Sequence, residues 1–140
     1  MTSGYRAVLD TCVIVTGLYS SSGASYLALD AIASGKLKLV LSPTLLFEYE
    51  DLLRRKQKML GLANKDIEVI LNQFCASAEP RRVSFLWRPR LRDSNDDHLV
   101  ELAVAAGGIP IVTHNVRHFQ ELDDLGIAIL TPSQILKELP

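Results

Sequence analysis

The sequence predicts a three-layer α/β/α domain with a central, mainly parallel sheet of four to five strands flanked by helices. Two observations predict it. Short apolar runs of strand character alternate with longer segments of helical periodicity, which is the pattern of βαβ units. Those runs are also continuously apolar instead of alternating, as expected for strands covered on both faces.

The first run, Arg6-Ala7-Val8-Leu9, reads as a strand ending at the acid Asp10. Thr11 to Leu18 continues as one or two helical turns containing Gly17, and Ser20 to Gly23 is turn-rich. From Ala24 to Ser34, Leu27, Ala28, Ala31 and Ile32 recur at helical spacing until Gly35 stops the run. Leu37 to Leu41 is a second strand. Ser42-Pro43 then opens a helix, with Ser as N-cap and Pro at the first helical position, and Leu45, Leu46, Tyr49, Leu52 and Leu53 form its apolar stripe. Lys65 to Ala78 repeats the pattern with Ile67, Ile70, Leu71 and Phe74, so the two helices make a hairpin. Arg82 to Trp87 reads as an edge strand or a loop, because Pro89 and the arginines around it do not suit an inner strand. Asp96 to Ala106 is a helix ended by Gly107-Gly108, and Ile109 to Thr113 is a strand. Ala128 to Leu130 is the last strand, and Thr131-Pro132 opens a final helix through Leu136.

The 140 residues fit a single domain, 1–140, with no internal repeat or linker. With 48% hydrophobic and 22% charged residues, the composition excludes a disordered tail. No apolar run approaches a membrane span, and no signal-peptide hydrophobic stretch follows Arg6, so no membrane role and a cytoplasmic location are expected. Cys12 and Cys75 stand far apart and read as reduced, buried thiols. A formal net charge of −1 gives no general attraction to phosphates, so any such attraction is local. Basic residues cluster at Arg54, Arg55, Lys56 and Lys58, at Arg81 and Arg82, and at Arg88, Arg90 and Arg92 around Trp87.

In an open parallel sheet, ligands bind outside the carboxyl ends of the strands, so acids at those ends are the first candidates. Asp10 is one, and its spacing leaves open whether it only caps the helix starting near Thr11. Glu48 borders the apolar stripe of its helix and can point toward the sheet end; Glu50 borders the other side with equal geometry. In Arg92-Asp93-Ser94-Asn95-Asp96-Asp97, Ser94 and Asp97 fit an N-cap and its partner, whereas Asp96 falls on the core-facing side, with Asp93 or Asp97 as its neighbour. Thr113-His114-Asn115 ends another strand. His114 and His118 are four apart, the spacing of a metal pair on a helix, but the segment is not helical across both.

These residues resemble the PIN-domain family, in particular its bacterial branch of toxin components of toxin–antitoxin systems, the VapC-like ribonucleases. Val8-Leu9-Asp10-Thr11 is similar to the opening strand and first acid, and Leu41-Ser42-Pro43 with Leu46 and Glu48 to the second-acid segment. Arg92-Asp93 with Asp96, Leu99, Glu101, Leu102 and Ala103 is similar to the third, and Ile111 to Asn115 with Phe119 to the fourth. Cys12 stands where the family usually has Asn, and Asn115 where this branch often has Asp. The resemblance implies a PIN-like fold and a metal-dependent endoribonuclease leaving 5′-phosphate and 3′-hydroxyl ends. It implies Asp10, Asp96 and Glu48 as ligands of Mg²⁺ or Mn²⁺, with Asn115 completing the catalytic set. Asp93 or Asp97 assists Asp96, and Asn115 with Thr11 or Thr113 positions water or phosphate. Two carboxylates ~4 Å apart repel by about 4 kcal/mol at an effective dielectric near 20, so converging acids call for a divalent cation. Ligation by carboxylates alone selects Mg²⁺ or Mn²⁺ over zinc. Arg82, Trp87, Arg88 and Arg90 are candidate contacts for single-stranded RNA. The implied partners are an RNA substrate, a cognate antitoxin and a second copy in a homodimer.

Two metal-dependent rivals fail on residues. A haloacid-dehalogenase phosphatase needs an acid two positions after Asp10, where Cys12 stands, and a receiver domain needs a late strand-end Lys, where Thr113 stands. The remaining alternative is a catalytically weak or inactive PIN-fold module that acts by binding RNA or an antitoxin.

Overall fold

A computed structural model of the chain describes residues 5–83, 97–119 and 126–140. Strand β1 (Tyr5–Leu9) carries Ala7, Val8 and Leu9 in succession at 0% exposure. Successive strand residues face opposite ways, so both faces of the sheet are covered at this point. Helices α1 (Thr11–Tyr19) and α2 (Ala24–Ala33) follow, then β2 (Leu37–Leu41), paired in parallel with β1. Helix α3 (Pro43–Arg55) starts as its sequence requires: the Ser42 side chain accepts the Leu45 N–H, and Pro43 takes the first turn, where a missing N–H costs nothing. It buries Leu45, Tyr49 and Leu53. A short helix α4 (Gln57–Leu60) leads to α5 (Asn64–Ser77), which packs on α3 as a hairpin, with Phe74 edge-on to Tyr49 at 5.7 Å between ring centroids.

The edge strand or loop expected from Arg82 to Trp87 lies mostly outside the described residues. The pairing partner of β2 is the two-residue β3 (Glu79–Pro80), while Arg82 and Val83 are irregular and residues 84–87 lie outside the described residues. An edge position tolerates Pro80, which has no N–H to give to a further strand. Helix α6 (Asp97–Ala105), strands β4 (Ile111–Val112) and β5 (Ile129–Leu130) and helix α7 (Pro132–Glu138) complete the chain; a Thr131–Gln134 capping box opens the last helix.

The five strands are parallel in every pair and ordered β3-β2-β1-β4-β5. The chain therefore winds outward from β1 through β2 to β3, then returns to the other side of β1 for β4 and β5. The reversal falls between β1 and β4, where the crevice outside the strand ends opens in doubly wound sheets. No single described helix is long and apolar enough to cross a membrane. One expectation about the thiols is corrected: Cys12 is partly buried, but Cys75 is exposed on α5, where Phe74 takes the inward position.

Candidate active site at the strand switch point

Asp10 follows the last residue of β1 and Thr113 follows the last residue of β4, so the two stand side by side at the switch point although 103 positions apart. Asp10 occupies the N-cap position of α1 but its side chain makes no capping hydrogen bond. Its carboxylate instead accepts the Thr113 hydroxyl at 2.8 Å through Oδ2 and, more weakly, the Thr11 hydroxyl at 3.4 Å through Oδ1. The proton direction at Thr113 follows from its partner: a carboxylate only accepts, so the hydroxyl donates to Asp10 and its oxygen accepts the Asn115 backbone N–H at 3.0 Å. Thr113 is completely buried, so it stands behind Asp10 and orients it.

Asp10 is itself only 8% exposed, and no ion pair among the described residues includes it. A carboxylate held this way by hydroxyls, with no described cation, is a costly group for a protein to keep without use. Its charge is felt by its neighbours. The Cys12 thiol, 3.8 Å from the Thr113 oxygen, is pushed up to about 11, first by burial and then by the Asp10 charge. The Tyr49 hydroxyl is raised well above its ordinary value, again by burial and then by Asp10.

Glu48 is brought to the same end of the sheet by its neighbour. The Tyr49 hydroxyl donates to the Leu9 carbonyl at 2.6 Å, which ties α3 to β1 one residue from Asp10 and one residue from Glu48. The Glu48 carboxylate is 45% exposed, and its Oε1 lies 3.2 Å from Nε2 of His98, the second residue of α6. That contact docks the start of α6 on Glu48. Glu50, equivalent to Glu48 by spacing, turns outward into an ion pair with Arg54 one helical turn on. Asp96 and Asp93 lie outside the described residues, as do Trp87, Arg88 and Arg90; Asp97 opens α6. Asn115 is exposed just past the β4 end, and Arg82 is exposed after β3. His114 Nε2 is 2.7 Å from the Ser25 hydroxyl, which engages it with α2.

Sequence reasoning missed His98 and left Glu101 without a role. Glu101 is 7% exposed in a run of apolar residues on α6, and both residues line a cavity with Ser42. A signal for each existed: His98 is two residues past Asp96, and Glu101 shares the buried side of the helix with Leu102.

The PIN domain family matches over residues 6–117, four fifths of the chain. The chain belongs to the PIN domain family. Among solved structures, the fold of this PIN domain is similar to that of VapBC2 from Rickettsia felis bound to a DNA fragment from their promoter. The similarity covers 89% of this chain and 96% of that one with a TM-score of 0.55, at 17% sequence identity. No curated protein matches the chain in sequence.

The donor set of this PIN domain suits a hard divalent cation. Asp10 and Glu48 offer carboxylate oxygens, the hard donors such an ion takes. Among the described residues no three of His, Cys, Asp and Glu form a metal group.

Proposed function

We propose that this PIN domain is a Mg²⁺- or Mn²⁺-dependent endoribonuclease, the toxin component of a toxin–antitoxin pair. The observation that carries the reading is Asp10: a buried carboxylate at the strand switch point, oriented by Thr113, excluded from helix capping and without a cationic partner among the described residues. Asp10, Glu48 and Asp96 would hold the ion. When bound, a divalent cation supplies Lewis-acid activation of water and neutralises charge on the scissile phosphate. The protein's part is to hold Asp10 in one rotamer through Thr113, to bring Glu48 up through Tyr49 and His98, and to present the Asn115 amide beside the crevice. The dipole at the start of α6 favours negative charge there, whether from Asp96 or from a phosphate.

Sequencing RNA ends after incubation with the purified chain and Mn²⁺ tests the proposal. Cleavage with 5′-phosphate ends is expected, reduced in Asp10→Asn by more than the ~10–100-fold typical of outer-shell changes at metal sites. Equal cutting by both proteins would remove Asp10 from the mechanism. A second reading, binding of RNA or an antitoxin with little or no cleavage, draws on the neutral side chain of Asn115 and on the engagement of Glu48 by His98. Binding without cutting at millimolar Mn²⁺ would favour it.

The partner assignment rests on the fold shared with the VapBC2 assembly and on the family resemblance. A homodimer through helices is supported by the large apolar side chains left exposed on α1 and α2: Tyr19, Tyr26 and Leu27.

A further inference from the structure

Two adjoining cavities lie at the same end of the sheet as Asp10, outside the carboxyl ends of β2 and β3. The larger, about 440 Å³, has an apolar lining from Leu41, Pro43, Leu46, Ala78 and Pro80, with Arg81 and Arg82 also on its wall. The smaller, about 260 Å³, shares Ser42, Pro43 and Arg82 with it and adds His98 and Glu101. The shared residues make them one groove, and His98 joins that groove to Glu48. Adjacent strands are about 4.8 Å apart, so a groove across β2 and β3 begins one strand spacing from the end of β1.

Charge and polarity narrow the occupant. Glu79 accepts from both Arg6 and Arg81, and Glu101 lies on the wall of the smaller cavity, so the three guanidinium groups outnumber the two carboxylates by one positive charge, with Arg82 on the wall that both cavities share. Arg81 is further fixed by donating to the Ala105 carbonyl at 3.2 Å, which makes it a rigid part of the wall. An apolar cleft of ligand-sized volume beside fixed positive charge suits a planar base joined to a phosphate. A base inside a duplex is stacked and paired, so only an unpaired one can enter.

We propose that this groove is a subsite for an unpaired nucleotide of single-stranded RNA flanking the scissile bond, with the base on the Leu41, Leu46 and Ala78 surface and its phosphate on Arg82. The proposal rests on the ribonuclease reading for its orientation toward Asp10, but its test does not require cleavage. Cys75 lines the larger cavity and is exposed, so it reports occupancy directly. Cys12 is partly buried and serves as the less accessible comparison.

The full-length chain is treated with iodoacetamide in EDTA, with and without a short single-stranded oligoribonucleotide, and modification at each cysteine is followed by mass spectrometry. The single strand is expected to slow alkylation of Cys75, and the same sequence annealed as a duplex is expected to leave it unchanged. Arg82→Ala, at an exposed position and with its fold checked by circular dichroism, is expected to weaken protection and to reduce the salt slope of binding by about 0.7, one phosphate contact on a single strand. An unchanged Cys75 rate at saturating RNA overturns the subsite, as does protection that Arg82→Ala leaves untouched. Protection by a co-purifying partner protein but not by RNA overturns it in favour of a protein-docking groove. Cleavage without Cys75 protection removes the subsite and keeps the ribonuclease; protection without cleavage does the reverse.

Discussion

Thr113 gives its hydroxyl proton to Asp10 and is fully buried, so the consequence of removing that proton can be isolated by shape-matched substitution. Thr113→Val keeps the volume and deletes the donor. It is expected to lower Mn²⁺ affinity and RNA cleavage by roughly 10–100-fold, while Thr113→Ser restores most of both. Isothermal titration with Mn²⁺ reads the effect without relying on turnover; equal affinities in Thr113→Val and the native chain would show that the Thr113 hydroxyl does not matter to Asp10. At this scale the sequence was partly legible. The acid at a strand end was visible at Asp10, but that its side chain turns to a hydroxyl 103 positions away instead of capping α1 was not. Glu48 and Glu50 were indistinguishable by spacing, and an Arg one turn after Glu50 together with His98 across the crevice separates them.

Among the elements, the crossing of α1 and α2 depends on Gly17. A Cβ there would come within 2.6 Å of Leu29 Cδ1 and 2.9 Å of the Ser25 backbone carbonyl oxygen. Leu29 can swing away, but a backbone oxygen cannot. Gly17→Ala is therefore expected to destabilise by about 1–2 kcal/mol, overpacking outweighing the ~1 kcal/mol that Ala gains in a helix interior. A rise in the urea midpoint would contradict this. The edge strand β3 is held by Glu79, and its pH response has a definite sign. Burial works to raise the Glu79 carboxyl, but hydrogen bonds from Arg81 and Arg6 and their charges outweigh it and hold it below its ordinary 4.5. A lowered folded value means that this contribution is fully present above about pH 4.5 and is lost as pH falls through the folded value. Glu79→Gln is expected to flatten the fall of the urea midpoint between pH 5 and 3 relative to the native chain. Helices with caps and stripes were readable, as at Ser42-Pro43 and Thr131-Pro132, because their signals are local. The edge strand was not: two residues, Glu79 and Pro80, carry no periodicity, and their pairing comes from α5 delivering the chain beside β2.

For the whole molecule, continuous apolar runs announced a parallel sheet, but strand order is a long-range property that no local pattern carries. The order β3-β2-β1-β4-β5 places the β1 and β4 ends together and brings the starts of α3 and α6, with Glu48 and His98, to the same end of the sheet as Asp10. The central claim is that this edge binds a divalent cation through Asp10. A ligand that binds only the folded chain raises its melting temperature, by an amount set by ligand concentration over the dissociation constant. Thermal melting of the native chain and of Asp10→Asn across a Mn²⁺ titration to millimolar concentration tests this most directly. The melting temperature of the native chain is expected to climb with Mn²⁺ while that of Asp10→Asn stays level. A native curve that does not move, or two curves that climb together, would contradict it.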